Sequence, residues 1–250
     1  MTDSIFGQLA IVNQKAKDDP TILRLSLDAK ATVEIGNFSR GGKTRADVEG
    51  KNHDFKPDEK ITPSGIFLPE LDELFYYFTT SKVTSDFIVD VLEDWWLEHR
   101  KRFPQVKTLL LNQDNGPENH SRRTQFMKRI VEFAQRHCLN IRLAYYPPYH
   151  SKYNPIERTW GILENHWNGS ILDEINTVLN FARTMTWKGH NPIVKLVTEI
   201  YKTGVKLTKQ AMAEVESQIQ RLTCLEVDDE HLNLGKWFVD IVYNPDLKLE

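Results

Sequence analysis

The feature that most constrains the fold is an alternation of apolar runs and amphipathic segments between residues 106 and 160. The run "VKTLLLNQD" (106–114) is apolar without a helical period, which is typical of a buried strand. "TQFMKRIVEFAQRHC" (124–138) repeats apolar residues at helical spacing, and "NIRLAYYPP" (140–148) is a short strand stopped by two prolines. A further helix follows "YYPP". Strands that alternate with helices in this way predict an α/β fold, with helices packed on a sheet.

The N-terminal half adds strands to the same prediction. Residues 21–38 predict two strands, because apolar residues alternate with polar ones before Gly36. The glycine-rich, charged stretch 39–60 predicts a loop, and "SGIFLPELDELFYYFTTS" (64–81) predicts a third strand with a connection. Residues 85–103 predict a helix that Ser85 caps and whose two tryptophans lie in the core. The fold class is therefore a mixed sheet flanked by helices.

We expect three parts along the chain. Residues 1–20 are an N-terminal lead-in, residues 21–170 form the α/β domain, and residues 171–250 form a mainly helical C-terminal extension. The helix expected most clearly in that extension covers 207–222, and "KWFVDIVYNP" (236–245) closes the chain as a strand.

Composition excludes several classes of protein. Charged residues interrupt every apolar run well short of the roughly 18 residues that a membrane-spanning helix needs, and the N-terminus lacks the basic start of a secretory signal. Cys138 and Cys224 stand far apart without zinc-like spacing, which argues against a disulfide framework or structural zinc and predicts a cytoplasmic protein.

The net charge of -3 conceals an uneven distribution. Residues 97–160 contain 12 Lys and Arg against 5 Asp and Glu, whereas residues 44–96 contain 5 basic and 12 acidic residues. This asymmetry indicates that one face of the protein meets a polyanion, the alternative being an ordinary solvated surface.

Three carboxylates follow predicted strand ends. Asp28 ends the first apolar strand, Asp114 follows "TLLLNQ", and Glu157 lies in the first turn of the helix after "YYPP". If the first and fourth strands are neighbours, Asp28 and Asp114 lie together and the helix can bring Glu157 to them. Such a cluster costs several kcal/mol unless cations neutralise it, and all-oxygen ligands suit Mg²⁺ or Mn²⁺.

Each acid also has a purely structural interpretation. Asp28 can bond a turn N–H, and Asp114 opens an Asp-Asn-Gly-Pro sequence that favours a turn by itself. Glu157 can be the third residue of a helix with Asn154 as its N-cap and Pro155 as its first residue. Gly161, one turn later, leaves room for a metal ion or a phosphate, or allows close packing of helix on sheet.

The three motifs resemble those of a known family. "LSLDAK…IGNFSRGGKTR", "LLLNQDNGPENHSRRTQF" and "YYPPYHSKYNPIERTW" are similar, in order, to the acidic motifs of DDE-type insertion-sequence transposases of the ISAzo type, which are related to mariner-like enzymes. The resemblance implies an RNase H-like fold and a DNA strand-cleaving and strand-transferring activity. It also implies a catalytic triad of Asp28, Asp114 and Glu157 that holds two Mg²⁺ ions, for which Mn²⁺ can substitute, and a homodimer acting on transposon ends and target DNA.

Basic residues near the motifs are candidates for DNA phosphate contacts, with solvated surface charges as the alternative. They are Arg40, Lys43, Arg45, Arg122, Arg123, Lys128, Arg129, Lys152 and Arg158. His150 is more readily a loop residue than a phosphate ligand.

Two departures from the family pattern qualify the resemblance. The 42 residues between Asp114 and Glu157 exceed the interval in many mariner-like relatives, and the 27 residues before Asp28 are too few for a helix-turn-helix region that recognises transposon ends. The sequence therefore predicts a catalytic portion. The alternatives are a transposase remnant that acts as a non-catalytic nucleic-acid-binding module, and a ribonuclease or structure-specific nuclease on the same scaffold.

Overall fold

The computed structural model describes residues 2–37, 59–222, 225–227 and 230–246. Most of the predicted loop 39–60 lies outside these ranges, and so do the candidate phosphate ligands Arg40, Lys43 and Arg45. The chain forms two compact units. The first contains Met1–Leu27, Thr84–Asn154 and Lys202–Glu250, and the second contains Asp28–Val83 and Pro155–Tyr201.

Six helices and eleven strands occur in the described part of the chain. The helices are α1 (Thr2–Asp18), α2 (Ser85–His99), α3 (Thr124–His137), α4 (Glu157–Trp167), α5 (Ile175–Thr184) and α6 (Lys209–Glu216). The strands are β1 (Ile22–Ala29), β2 (Val33–Ile35), β3 (Glu59–Leu68), β4 (Glu73–Thr79), β5 (Thr108–Gln113), β6 (Asn140–Tyr145), β7 (Ile193–Val197), β8 (Ile219–Arg221), β9 (Leu225–Val227), β10 (Glu230–Leu232) and β11 (Phe238–Ile241).

The first unit is built on a mixed sheet in the order β1-β5-β6-β11-β8. Strand β1 pairs in parallel with β5, from Ile22 opposite Thr108 to Ser26 opposite Asn112. Strand β6 continues the parallel set, and β11 is antiparallel to both β6 and β8. The apolar run of β5 is buried, as the absence of a polar alternation predicted. The expectation that the first strand and the strand before Asp114 are neighbours is confirmed.

Helices α2 and α3 belong to the same unit, and their ends and faces follow from sequence. Trp95 and Trp96 are buried, as predicted. The cap of α2 is Thr84, whose side chain accepts a hydrogen bond from Phe87 N at 3.3 Å. The prediction of Ser85 is wrong by one residue, because the Ser85 hydroxyl donates instead to the Glu118 carbonyl at 2.7 Å.

Helix α1 was not predicted from the sequence of the lead-in, although its pattern is legible. Ile5, Leu9, Val12 and Ala16 are buried at intervals of one helical turn. The other positions of the helix include the apolar residues Phe6, Ala10 and Ile11, of which Ile11 is 62% exposed, and these explain why the amphipathic period is weak in the sequence.

The second unit is built on antiparallel strands. Strands β3 and β4 form a hairpin from Thr62 opposite Thr79 to Leu68 opposite Glu73, so the single strand predicted for residues 64–81 is in fact two. Strand β2 pairs with the other side of β3, and β7 runs parallel to β4. Helices α4 and α5 contribute Trp160, Leu163, Trp167 and Val178 to the apolar core of this unit.

The described chain after residue 170 corrects one expectation. It contains helices α5 and α6 and five short strands, so it is not mainly helical. The predicted helix 207–222 is shortened to Lys209–Glu216, while the predicted closing strand is present as β11. None of the described helices combines the length and apolarity that a membrane span requires. The predicted fold class, a mixed sheet flanked by helices, is confirmed.

Candidate active site

Asp114 directly follows β5 and is held by its own loop. The Asn119 side-chain amide donates to the Asp114 carboxylate and to its carbonyl oxygen, each at 3.2 Å. A Cβ on Gly116 would stand 2.9 Å from Asn119 Oδ1 and 3.3 and 3.4 Å from the two carboxylate oxygens of Asp114, so a side chain at this position would displace these polar groups. The buried Tyr145 hydroxyl donates to the Asn119 carbonyl at 2.7 Å, and burial raises the pKa of Tyr145, which keeps this donor protonated.

Asp28 lies near the end of β1 and is bound by an indole from α4. Trp160 Nε1 donates to Asp28 Oδ2 at 2.8 Å. The Trp160 ring is 5% exposed and stacks on Tyr76, with ring centroids 4.7 Å apart and an interplanar angle of 16°. The Tyr76 hydroxyl in turn donates to Thr159 Oγ1 at 2.8 Å. The carboxylate of Asp28 is therefore positioned by a buried aromatic pair.

Glu157 is the first residue of α4, within the helical turn where the sequence placed it. Its carboxylate makes no hydrogen bond or ion pair with any residue that the structure describes, so it satisfies no backbone N–H there. The predicted N-cap, Asn154, is wrong. Asn154 is buried in the first unit, where it accepts from the Ser26 hydroxyl at 2.5 Å and donates to the Leu27 carbonyl at 2.9 Å, so its side chain supports β1.

One side of α4 contacts the segment that carries Asp28. Trp160 and Glu164 follow Glu157 at intervals of three and seven residues, which places all three on one helical face. Glu164 pairs with Lys30 at 2.5 Å, two residues after the Asp28 that Trp160 binds. Gly161 has open space around it, since a Cβ there would meet no atom within 4 Å. Close packing is therefore not the reason for glycine at this position.

The register of β1 and β5 relates the two aspartates to their strands. Ser26 and Asn112 form the last registered pair. Asp28 follows Ser26 by two residues within β1, and Asp114 follows Asn112 by two residues, just after the end of β5. Within the described ranges, no group of three or more His, Cys, Asp and Glu side chains is placed to hold a metal ion. The metal-binding triad thus stays a prediction.

The basic candidates that the structure describes fall into two groups. Arg123, Lys128 and Arg129 are paired with acids, and the shortest contact of each arginine is Arg123–Glu118 at 3.0 Å and Arg129–Asp90 at 2.6 Å. The others among the described candidates, which are Arg122, Lys152 and Arg158, are exposed. His150 Nδ1 lies 2.8 Å from the Pro148 carbonyl, which fits the expected loop residue.

Sequence reasoning missed the residues that position the acids. Gly116, Asn119 and Trp160 all lie inside the quoted motifs, but their contacts depend on how loops and side chains fold back. Gly116 and Asn119 lie two and five residues after Asp114, and this proximity is the sequence signal that could have identified them. Trp160 lies 132 residues from Asp28, so no local signal relates it to the acid that it binds.

The chain is similar to known transposases. A family model described as a Rhodopirellula transposase DDE domain matches residues 1–242. Among solved structures, the Mos1 transposase paired-end complex with the left transposon end is 11% identical, with a TM-score of 0.47, and the match covers 72% of this chain and 51% of that one. A Mos1 mariner paired-end complex with Mn is 12% identical, with a TM-score of 0.47 and coverage of 70% and 50%. The chain thus spans about half the length of these structures. A search of curated proteins found no match.

Proposed function

Because the chain belongs to the ISAZ013-type family of transposase DDE domains, we propose that its fold is RNase H-like and that it cleaves DNA strands and transfers them through Asp28, Asp114 and Glu157. The observation that carries this proposal is the bond from Trp160 to Asp28, because it holds one proposed catalytic acid against the helix whose first residue is another.

The donor set fits Mg²⁺, or Mn²⁺ in its place. Both ions prefer carboxylate oxygens, and Glu157 has no competing partner among the described residues. Open space at Gly161, one turn along α4, leaves room beside that carboxylate. Asp28, Asp114 and Glu157 would hold two such ions, and the chemistry that the ions would supply is activation of a water or a DNA 3′-hydroxyl and stabilisation of the leaving oxygen.

Neighbouring residues of the chain position the carboxylates of Asp28 and Asp114. Asn119 and Gly116 fix the orientation of Asp114, and Trp160 fixes that of Asp28. Such neighbouring contacts preserve the geometry and the charge of ligand carboxylates. No side-chain nucleophile is required, since the attacking group belongs to water or to DNA.

The partner is DNA, at transposon ends and at a target, and the active complex is a homodimer in the cytoplasm. Arginine and lysine side chains provide phosphate contacts without reading sequence. The residues are Arg122, Lys152 and Arg158, together with Arg40, Lys43 and Arg45 and, once released from Glu118, Arg123.

Nicking of supercoiled plasmid DNA tests the catalytic assignment. Asp28→Asn, Asp114→Asn and Glu157→Gln should each abolish Mg²⁺-dependent nicking, because each removes one negative ligand while keeping the shape of the side chain. Glu199→Gln, at an exposed acid, should leave nicking unchanged. Full activity in any of the three site variants removes that residue from the mechanism.

Titration calorimetry with Mn²⁺ separates the enzyme from a non-catalytic remnant. The enzyme should bind two ions, and Asp28→Ala should lose them. Absence of Mn²⁺ binding by the natural chain would favour a nucleic-acid-binding remnant, and preferential cleavage of RNA–DNA hybrids or branched DNA would favour a general nuclease.

A further inference from the structure

The first unit contains a cavity of about 680 Å³ that none of the catalytic motifs accounts for. Its walls come from the loop before α3, from α6 and β8, and from the segment that leads into β11. They include Arg122, Glu216, Arg221, Gly235, Lys236 and Trp237. Three cations and one carboxylate among these residues leave an excess of two positive charges. A cavity of this sign attracts anions.

Hydrogen bonds from side chains to backbone carbonyls hold the three wall segments together. The Ser121 hydroxyl donates to the Lys236 carbonyl at 2.8 Å. Arg221 donates to the Ser121 carbonyl at 3.0 Å and to the Gly235 carbonyl at 3.4 Å. Ser121 is buried, so the bonds that it makes are shielded from water. The backbone of the cavity walls is thus held in place by the fold, and the exposed side chains of Arg122 and Lys236 extend from it.

The cations divide by what they already bind. Arg221 is occupied by Glu216, with its Nε 2.5 Å from Oε1. The Arg122 guanidinium has no hydrogen-bond or ion-pair partner among the described residues, and Lys236 Nζ lies over the Trp237 ring, 5.1 Å from its centroid. Burial lowers the pKa of the neighbouring His120, and the charges of Arg123, Arg122 and Lys236 lower it further, while the Glu118 carboxylate opposes them.

We propose that this cavity binds the phosphodiester backbone of DNA through Arg122 and Lys236, outside the catalytic triad. The inference rests on the proposed function for the identity of the polyanion. Arg122 was already a candidate phosphate ligand, but Lys236 lies far from it in sequence and outside every acidic motif. The loop between Asp114 and α3 ends at this cavity. A DNA strand bound in the cavity would therefore contact the same loop that carries a proposed catalytic acid.

Binding of a short fluorescent DNA duplex in EDTA tests the proposal without any cleavage. The double variant Arg122→Gln/Lys236→Gln should bind on the order of tenfold more weakly. The slope of log affinity against log salt should fall by about 2, because each lost phosphate contact removes roughly 0.9 from that slope. The matched control is Lys17→Gln/Arg183→Gln, which removes the same two residue types from exposed positions outside the cavity and should change neither quantity.

A gain-of-function variant keeps the test independent of folding defects. Glu216→Gln removes the only carboxylate of the cavity walls named above while keeping a hydrogen-bond acceptor for Arg221. It should tighten DNA binding several-fold and increase the salt slope by about 1, which loss of structure cannot do. Weaker or unchanged binding would overturn the proposal.

The remaining outcomes separate this inference from the proposed function. Affinity of the double variant within twofold of the natural chain overturns the cavity assignment, whatever the nicking assay shows. Binding of inorganic phosphate alone can be measured by tryptophan fluorescence. If phosphate saturates the cavity while the double variant binds DNA with unchanged affinity, the cavity is a site for free anions and not for DNA. Failure of the proposed function has a different signature, which is absence of Mg²⁺-dependent nicking by the natural chain.

Discussion

At the residue scale, the acids differ in how much of the surrounding protein positions them. Asp114 depends on its own loop, through Gly116 and Asn119, whereas Asp28 depends on a buried tryptophan more than 130 residues away in sequence. A charged acceptor gains more from a hydrogen bond than a neutral one does, so the indole contributes both energy and orientation.

Trp160→Phe tests that contact. The phenyl ring keeps an aromatic surface against Tyr76 but cannot donate to Asp28, so nicking should fall about 10- to 100-fold, or require correspondingly more Mg²⁺. The measurement is the nicking rate as a function of Mg²⁺ concentration.

Trp187→Phe is the matched control for Trp160→Phe. Trp187 Nε1 makes the same type of bond in the same unit, to Asp72 at 3.3 Å, but Asp72 belongs to no proposed site. Equal loss of nicking in both variants would mean that Trp160 acts through stability alone.

The sequence identifies the three candidate acids more readily than the residues that position them. Asp28, Asp114 and Glu157 follow apolar runs whose strand or helix character is local, so position along the chain was sufficient to single them out. Trp160 looks like an ordinary core residue from its helical spacing, and its polar edge finds Asp28 only after α4 is packed. Asn154 looks like an N-cap beside a proline, but its side chain bonds to β1, a tertiary contact that outweighs local capping preference.

At the element scale, the approach of α4 to β3 depends on one glycine. A Cβ on Gly65 would lie 2.6 Å from Ile156 Cδ1 and 3.0 Å from the Trp160 ring. Ile156, which lies just before α4, and Trp160, which binds Asp28, therefore both pack against Gly65 of β3. The β3–β4 hairpin and α4 are in close contact beside the bond between Trp160 and Asp28.

Gly65→Ala should lower the free energy of unfolding by about 1–3 kcal/mol, because the added methyl overpacks this contact. Urea denaturation measures the effect. Gly161→Ala, in the same unit and within α4, should instead raise the free energy of unfolding by about 0.5–1 kcal/mol, because the new methyl meets no atom and alanine favours the helix. A stabilising Gly65→Ala would show that α4 does not pack as closely as described.

At the scale of the whole molecule, the first unit is assembled from three separate stretches of chain, Met1–Leu27, Thr84–Asn154 and Lys202–Glu250. The sequence-based division into a domain at 21–170 and an extension at 171–250 stays a prediction. Local patterns identify strands and helices, but they carry no information on whether β11 pairs with a neighbour in sequence or with β6. That choice depends on the packing of the complete chain.

Truncation tests this assembly. A chain that ends at residue 222 lacks β11, which pairs with β6 on one side and β8 on the other, so the sheet of the first unit should lose its cooperative thermal transition. A chain that ends at residue 246 keeps β11 and should unfold like the full chain. Circular dichroism and hydrogen exchange in β5 and β6 are the measurements, and an unchanged transition in the shorter chain would mean that β11 is dispensable.

The pairing of Ala144 with Phe238 has a consequence for how the protein is made. On the ribosome, β5 and β6 emerge long before β11, so this edge of β6 stays unpaired until β11 has been synthesised. A polypeptide released before β11 is complete would leave the edge of β6 unpaired, and an unpaired edge strand is a template for pairing with other chains.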